Sequence, residues 1–231
     1  MKILGLIVAR GGSKGIPGKN SKMLGELPLI SYTIKSAKES HLLDDIILSS
    51  DDPEIIKIAR EEGISVPFVR PKELAEDTST SLTVIQHALN YLYENEQKFE
   101  AVCLLQPTTP FRATGLIDDA IKKFKSANYD SLISVREIPA DYNPHWAFEE
   151  VNGSLKIATG EEFPISRRQD LPKAYRRDGA IYITKAEVLL EQNSLLGKNI
   201  GYVISSGDED INIDTPEDWE KAEKKLLKNR I

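Results

Sequence analysis

One short segment concentrates the residues best suited to binding an anion. Glycine lets backbone N–H groups turn toward an anion without interference from a Cβ atom, and neighbouring cations add positive charge. The segment ARGGSKGIPGKN, which runs from Ala9 to Asn20, holds four glycines and three cations, namely Gly11, Gly12, Gly15, Gly18, Arg10, Lys14 and Lys19. The segment therefore predicts a loop that binds the phosphates of a nucleoside triphosphate or of an equally anionic ligand.

The sequence before this loop indicates which element positions it. The apolar run Ile3 to Val8 is too short for a helix and predicts a buried strand, so the loop follows the strand's carboxyl end. Ligands of open α/β sheets bind at that end. The spacing fits neither a P-loop, because Ser13 stands where its first glycine is required, nor the dinucleotide fingerprint, because no two glycines lie two positions apart. A surface turn with solvated lysines is the alternative.

Strand-like and helix-like runs alternate along the chain, which is typical of βαβ units around a mainly parallel sheet. The pattern predicts an α/β fold with three αβα layers and a Rossmann-like sheet. Strands are expected at 3–8, 45–49, 65–69, 101–105, 131–135, 179–184 and 200–204, and helices at 28–41, 53–63, 80–96, 115–126, 185–192 and 215–228. Four prolines and an Asn152-Gly153 hairpin signal indicate an insertion at 138–177 into a core of residues 1–137 and 178–231.

Composition limits the classes of partner. The 231 residues suit one sizeable domain, and the formal net charge of −6 argues against non-specific nucleic-acid binding, so the cations of the loop point to a small anion. No apolar run approaches the ~20 residues of a membrane span. The single cysteine, Cys103, lies in the apolar run AVCLL and fits core packing in a reducing, cytoplasmic compartment.

Taken with later segments, the loop resembles that of the N-acylneuraminate cytidylyltransferases, which opens with an A-R-x-x-S-K-G-x-P-x-K-N pattern after the first strand. Four further segments, at 70–81, 104–112, 167–182 and 208–219, are similar to that family, so the resemblance extends over the whole chain. It implies a nucleotide-diphospho-sugar transferase-like fold and transfer of CMP from CTP to the anomeric hydroxyl of a nine-carbon, sialic-acid-like α-keto sugar acid, with release of pyrophosphate. It also implies a homodimer, in which the insertion reaches across the partner's active site.

The resemblance assigns the nucleotide-binding residues. It implies that Arg10, Lys14 and Lys19 act on the reacting phosphates, and that the triphosphate is held by Arg10, Gly11, Gly12, Ser13, Lys19 and Asn20. It also implies that Arg70 and Ser81 recognise cytosine, whose O2 and N3 acceptors suit a guanidinium and a hydroxyl. In the alternative, Arg70 pairs with Glu73 and Asp77 on the surface and Ser81 caps the following helix.

The sugar acid is assigned in the same way. The resemblance implies substrate contacts for Gln106, Arg168, Arg176, Asp178, Gly179 and Tyr182. An arginine can bind a sugar-acid carboxylate through two parallel hydrogen bonds. Gln106 could instead be a structural residue beside turn prolines. The family's sialic acid enzymes commonly have Arg-Pro-Asn-Gly where this chain has Arg176-Arg177-Asp178-Gly179, so the identity of the acid stays open.

The last motif predicts a Mg²⁺ site. Mg²⁺ prefers one or two carboxylates together with substrate phosphates and water. The family's Asp-Ile-Asp-Thr is Asn212-Ile213-Asp214-Thr215 here, so Asp214 and the amide oxygen of Asn212 are the expected ligands. Three alternatives remain: a cytidylyltransferase for an eight-carbon octulosonic acid, a GT-A glycosyltransferase using Asp208-Glu209-Asp210, and a nucleotide-binding protein without catalysis.

Overall fold

A computed structural model describes residues 1–205 and 211–228, and the chain divides into two compact units. The larger unit comprises residues 1–134 and 178–231, and the smaller comprises residues 135–177. The acidic triplet Asp208-Glu209-Asp210 lies outside the described residues.

Ten strands and six α-helices alternate through the described residues. The strands are β1 (Ile3–Val8), β2 (Met23–Leu24), β3 (Leu27–Pro28), β4 (Asp45–Ser49), β5 (Ala101–Leu105), β6 (Ser131–Glu137), β7 (Phe148–Val151), β8 (Ser154–Ile157), β9 (Tyr175–Lys185) and β10 (Ile200–Ile204). The helices are α1 (Leu29–Lys38), α2 (Pro53–Glu61), α3 (Ser81–Glu94), α4 (Leu116–Ser126), α5 (Ala186–Leu190) and α6 (Pro216–Lys228).

The main sheet has six strands in the order β10-β6-β9-β5-β1-β4. Strand β1 pairs in parallel with β4 on one side and with β5 on the other, and β9 runs antiparallel to β5. The carboxyl ends of β1, β4 and β5 therefore meet at one edge of the sheet. The expected mainly parallel, Rossmann-like architecture is confirmed.

Alternating apolar side chains produce the three layers. Ile3 and Ile7 of β1 are fully buried on one face of the sheet, in a cluster with side chains of α1, α2 and α4. Leu4 and Leu6 are fully buried on the other face, in a cluster with side chains of α3 and α5. Because successive strand residues point to opposite faces, a strand that is apolar throughout must be covered on both sides.

Side-chain caps fix where two of the helices begin. Asp52 accepts hydrogen bonds from the backbone N–H groups of Glu54 and Ile55, and Pro53 occupies the first position of α2. Thr215 and Asp218 exchange side-chain and backbone hydrogen bonds at the start of α6. Both starts agree with the sequence-based expectation.

One expected strand is absent. Residues 65–69 form no strand, and Ser65 makes only an isolated parallel bridge to Ile47 of β4. Pro67 has no N–H to donate to a ladder, which limits further pairing.

The smaller unit contains the hairpin that the sequence indicates. Strands β7 and β8 pair antiparallel, and the turn residues Asn152 and Gly153 have φ angles of 54° and 79°. Positive φ at both turn residues is the geometry that an Asn-Gly hairpin favours. Trp146 donates its indole N–H to the carbonyl of Ile165 and so anchors a loop of the same unit.

Candidate active site

A cleft of about 260 Å³ opens at the carboxyl edge of the sheet. Residues that follow β1 and β5, the start of α3 and the segment before α6 all contribute side chains to it. Its lining includes Arg10, Ser13, Lys19, Asn20, Arg70, Asp77, Ser81, Gln106 and Asp214. The larger unit therefore brings together most of the residues expected to bind the nucleotide and the metal, although these residues are distant in the sequence.

The glycine loop presents a run of free backbone donors. Gly11 donates its N–H to a carboxylate oxygen of Asp51 at 3.1 Å. The N–H groups of the next five residues, 12–16, have no acceptor among the residues the structure describes. Consecutive unpaired N–H groups that turn toward one side form an anion-binding concavity. The loop therefore has the donors that a polyphosphate requires.

Close packing holds the loop against the segment that precedes α6. A Cβ atom built on Gly15 would lie 2.2 Å from the backbone carbonyl oxygen of Asp214, so only glycine fits there. Gly12 differs, because a Cβ atom at that position would have no heavy atom within 4 Å. Gly15 thus serves the packing of the loop, while Gly12 faces open space.

Lys19 joins the loop to the same segment through its side chain. Its ammonium group donates to the carbonyl of Ile213 at 2.6 Å and lies 3.1 Å from a carboxylate oxygen of Asp214. Only 7% of Lys19 is exposed to solvent. A buried ammonium needs such partners, because an unpaired charge in the interior is strongly unfavourable. Neighbouring Asn20 donates to the carbonyl of Arg10, while its buried side-chain oxygen has no partner among the described residues.

The two outer cations of the loop share one carboxylate. Arg10 lies 2.7 Å and Lys14 lies 2.6 Å from the two oxygens of Asp77, which follows the short 3-10 helix Lys72–Leu74. Lys14 and then Arg10 hold the pKa of Asp77 below its usual value by hydrogen bonding and charge, against the opposing effect of burial. The sequence suggested Asp77 only as a surface partner of Arg70.

The alternative for Arg70 and Ser81 is wrong. Arg70 is buried and donates from Nε and Nη2 to the side chain and carbonyl of Ser49, so it does not pair with Glu73 or Asp77. Burial lowers the pKa of Arg70 to about 10, although the negative charge of Asp51 acts in the opposite direction and raises it. Thr80, one residue earlier, caps α3 instead of Ser81, whose hydroxyl has no partner among residues 1–205 and 211–228.

Arg112 is a residue whose role the sequence analysis missed. It is partly buried and donates to the carbonyl of Gln106 at 2.7 Å, to the carbonyl of Ala180 at 2.8 Å and to the hydroxyl of Thr33 at 2.9 Å. Burial lowers its pKa to about 10. Arg112 thereby fixes the tip of β5, where Gln106 faces the cleft. The cation that ends the motif LLQPTTPFR was the only sequence signal.

Four of the expected substrate residues lie on β9, and three of them, Asp178, Gly179 and Tyr182, belong to the larger unit. The Asp178 carboxylate is buried and accepts hydrogen bonds from the hydroxyl of Ser134 and the N–H of Ala180. Gly179 has a φ of 81° and approaches the hydroxyl of Thr109. Tyr182 is 6% exposed and packs in the apolar cluster beneath α3. Asp178, Gly179 and Tyr182 do not line the cleft.

The expected metal ligands lie side by side. The Asn212 amide donates to one oxygen of Asp214 at 2.7 Å, and the other oxygen faces Lys19. A carboxylate and an amide oxygen are hard donors of the kind that Mg²⁺ accepts. For both to bind one cation, the amide must turn so that its oxygen, rather than its nitrogen, faces Asp214. Within residues 1–205 and 211–228, no three His, Cys, Asp or Glu side chains form a metal-binding group.

The remaining two predicted substrate residues belong to the smaller unit. Arg168 lines a cavity of about 470 Å³ within that unit, together with Lys173 and Asn143. Arg176 is an exposed residue of β9. In the described part of the chain, no helix is both long and apolar enough to cross a membrane.

Several known proteins are similar to this chain in sequence or in fold. The sequence model of the Cytidylyltransferase family matches residues 4–228. The chain is 34% identical to CMP-N,N'-diacetyllegionaminic acid synthase of Legionella pneumophila, covering 100% of this chain and 98% of that protein. It is 36% identical to pseudaminic acid cytidylyltransferase of Campylobacter jejuni, covering 96% of this chain and 95% of that protein.

The fold has a solved counterpart. A structure of CMP:2-keto-3-deoxy-manno-octonic acid synthetase complexed with CTP superimposes with a TM-score of 0.72 at 17% identity, over 99% of this chain and 100% of the other. At that identity the likeness concerns the fold alone. The family match and the two relatives extend over nearly the whole chain, so the protein belongs to the cytidylyltransferase family of nucleotidyltransferases.

Proposed function

We propose that this protein transfers CMP from CTP to the anomeric hydroxyl of a nine-carbon α-keto sugar acid. The hydroxyl oxygen attacks the α-phosphorus of CTP, the bond from that phosphorus to the bridging oxygen breaks, and pyrophosphate leaves while the hydroxyl proton passes to a base. No covalent enzyme intermediate is required, because positioning and charge stabilisation supply most of the catalysis in reactions of this type.

The N–H groups of residues 12–16, which have no acceptor within residues 1–205 and 211–228, carry this proposal. They lie within the cytidylyltransferase match and beside the cations Arg10, Lys14 and Lys19. A triphosphate presents oxygen acceptors for these donors and negative charge for these cations. We assign to Gly11, Gly12, Ser13 and Asn20 the binding of the triphosphate, and to the cations the stabilisation of charge that develops on the leaving pyrophosphate.

Arg70 and Ser81 support recognition of cytosine. Two donor positions of Arg70 are occupied by Ser49, and its Nη1 has no partner among the described residues. The Ser81 hydroxyl, at the first position of α3, is also available. These groups can meet the O2 and N3 acceptors of the base, and the internal bonds of Arg70 fix its plane before the nucleotide arrives.

The two relatives that act on sugar acids suggest the acceptor class. Both carry names of nine-carbon acids, legionaminic and pseudaminic, and both match this chain end to end. Gln106 at the edge of the cleft can donate to and accept from a sugar hydroxyl. Arg168, Arg176, Asp178, Gly179 and Tyr182 stay predicted substrate residues on the strength of the resemblance.

We infer that Asp214 and Asn212 bind Mg²⁺ when the nucleotide is present. Bound Mg²⁺ neutralises phosphate charge and polarises the phosphoryl oxygens. The hard oxygen donors and the 59% exposure of the Asp214 side chain fit this role. Lys19 contacts Asp214 and so holds the carboxylate at the rim of the cleft.

We also propose a homodimer that forms through the smaller unit. Several large apolar side chains of this unit are exposed in the single chain, among them Tyr142, Phe148, Leu155 and Phe163. Exposed apolar patches often mark sites of protein–protein contact. A dimer of this kind fits the expectation that residues 138–177 serve dimerisation and cover the substrate.

The function is tested by pyrophosphate release from CTP and Mg²⁺ with a panel of acids. We expect release with at least one of sialic, legionaminic and pseudaminic acid, and formation of the matching CMP-sugar. Release with octulosonic acid alone would instead indicate the eight-carbon enzyme. CTP binding without release from any acid would contradict the proposal and favour a non-catalytic protein, and transfer from a nucleotide sugar would favour a glycosyltransferase.

A further inference from the structure

The cations of the loop already have negative partners within the protein. Arg10 and Lys14 contact the two oxygens of Asp77, and Lys19 contacts Asp214. A triphosphate must therefore compete with protein carboxylates for the groups that are expected to bind it. The two sets of contacts differ in how easily they can be exchanged.

The Asp214 contact is built into the interior of the larger unit. The Lys19 side chain is 9% exposed and also donates to the carbonyl of Ile213. Movement of this side chain away from Asp214 would leave a buried carbonyl without a donor. By contrast, the side chains of Arg10, Lys14 and Asp77 are 33%, 84% and 39% exposed. Water can replace either partner in the Asp77 contacts, so these contacts can open without disturbing the core.

Asp77 also lines the cleft in which the triphosphate is proposed to bind. Its carboxylate lines the same cleft as Arg10, Ser13 and Lys19 and satisfies the cations that stand beside the unpaired N–H groups of the loop. Two oxygens at 2.7 and 2.6 Å from two different cations reproduce the contacts of one phosphate group. The contact also ties the segment after the 3-10 helix to the loop.

We propose that Asp77 is the resident counter-anion of the triphosphate site, and that a polyphosphate binds by displacing its carboxylate from Arg10 and Lys14. This inference rests on the proposed nucleotide function. Asp77 is a positioning residue in this scheme: it holds the two cations in place while the site is empty and competes with the bound ligand. It also returns to the cations when pyrophosphate departs, and so favours product release.

Removal of the Asp77 carboxylate should strengthen polyphosphate binding, whereas a structural defect should weaken it. Exposed ion pairs are individually weak, so loss of the two Asp77 contacts costs the fold little. Without the Asp77 carboxylate, polyphosphate no longer competes for the two cations and is no longer repelled, so we expect its binding to become about tenfold tighter. If Asp77 served only to shape the loop, its loss would weaken binding and stability together. The sign of the change in affinity therefore separates the two roles.

The test measures the dissociation constant of inorganic tripolyphosphate by titration calorimetry for the wild-type protein and for Asp77→Asn, Asp77→Ser and Asp77→Glu. We expect about tenfold tighter binding with Asn and with Ser, and wild-type affinity with Glu, which retains the charge. Glu73→Gln is the matched control: it removes an exposed carboxylate of the same segment that does not line the cleft, and it leaves affinity near the wild-type value.

Equal or weaker binding in folded Asp77→Asn and Asp77→Ser would overturn the inference, as would a Glu73→Gln effect as large as theirs. A second readout is inhibition of turnover by pyrophosphate, for which the half-inhibitory concentration should fall by the same factor in Asp77→Asn. If wild-type protein released no pyrophosphate with any acid, the proposed function would fail, yet the tripolyphosphate titration would still decide the role of Asp77.

Discussion

At the scale of single residues, Lys19 shows how one side chain can serve both structure and chemistry. It is a buried ammonium that contacts Asp214, the expected metal ligand, and the backbone of Ile213. Its position in the sequence predicted the contact with phosphate, but not the anchoring of the segment before α6. The sequence could not reveal this second role, because Ile213 lies 194 residues away along the chain.

Lys19→Ala should therefore damage turnover and stability together. We expect turnover to fall about a hundredfold, as when one charge-stabilising donor is removed from an active site. We expect the free energy of unfolding to fall by about 1–3 kcal/mol, because a buried carbonyl loses its donor. Urea unfolding and steady-state kinetics measure the two effects. Lys22→Ala, which removes a cation stacked over Trp219 instead, is the control, and near-normal turnover in folded Lys19→Ala would contradict the assignment.

Asp214→Asn tests the metal site at the same scale. The substitution keeps the size of the side chain but removes its charge. We expect turnover to fall on the order of a hundredfold and the Mg²⁺ concentration for half-maximal rate to rise about tenfold. Glu217→Gln, an exposed carboxylate near the start of α6, is the control. An unchanged Mg²⁺ requirement in Asp214→Asn would show that the metal binds elsewhere.

At the scale of elements, three parallel strands that end at the same edge of the sheet position the glycine loop. The ends of β1, β4 and β5 supply the loop itself, Asp51 and Gln106. Ile16 of the loop packs in an apolar cluster with Ile213 and Trp219. The loop is therefore held by packing against the segment before α6, while the N–H groups of residues 12–16 have no acceptor in the part of the chain that the structure describes.

Two glycine substitutions should separate these two sides of the loop. Gly15→Ala places a methyl group against the Asp214 carbonyl, so we expect a lower melting temperature and a loss of turnover. Gly12→Ala meets no protein atom, so we expect an unchanged melting temperature together with weaker CTP binding where the methyl group meets the ligand. Equal melting temperatures for the two variants would refute the packing argument. Thermal denaturation without CTP measures the melting temperature of each variant, and the shift on adding CTP measures its binding of CTP.

The segment that leads into β10 depends on one ionised carboxylate. Asp130 accepts hydrogen bonds from the backbone N–H groups of Asn199 and Lys198 at 2.9 and 3.0 Å. The Asn199 bond, opposed by burial and supported by the Lys198 bond, holds the pKa of Asp130 below its usual 3.8. A lowered folded-state pKa contributes stability above the unfolded-state pKa, and this contribution is lost as pH falls through the folded-state value.

Asp130→Asn should accordingly flatten the acid side of the stability profile. Between about pH 5 and about pH 3, the free energy of unfolding should decline less steeply in Asp130→Asn than in the wild-type protein. Asp141→Asn changes an exposed carboxylate with no partner among the described residues, and it should leave the slope as it is in the wild type. Urea titrations across this range measure the slopes, and parallel profiles for all three proteins would contradict the prediction.

At the scale of the whole molecule, the two units divide the proposed work. The larger unit holds the proposed nucleotide cleft, and the smaller unit carries Arg168, Arg176 and several exposed apolar side chains. Leu155 and Phe163 of the smaller unit are 70% and 75% exposed in the single chain. Association of two copies through this surface would bury them.

Substitution within this surface should therefore weaken the dimer. We expect sedimentation velocity of the wild-type protein to show a dimer, and Phe163→Asp to raise its dissociation constant by about tenfold or more. Leu227→Asp introduces the same charge at a 61% exposed apolar residue of α6, outside the smaller unit, and should leave the dimer intact. A monomeric wild-type protein, or a similar effect from both variants, would argue against this interface.

The sequence by itself determined the layered fold, the glycine loop, the family and eight of the residues that line the cleft. Local signals suffice for these: β1 is apolar on both faces, Asp52-Pro53 starts a helix, and glycines and cations cluster between Ala9 and Asn20. Residues 65–69 have a similar local signal, but they gain no pairing beyond one bridge and form no strand.

Only the tertiary structure decided which charged groups meet. It paired Arg10 and Lys14 with Asp77, turned Arg70 inward to Ser49, and bonded Arg112 to the carbonyls of Gln106 and Ala180. Neither the periodicity nor the propensity of a sequence indicates the partner of a charged side chain. The partner depends on which strands end at the same edge of the sheet. The sequence thus identified the groups predicted to bind anions, and the fold determined which protein groups they contact.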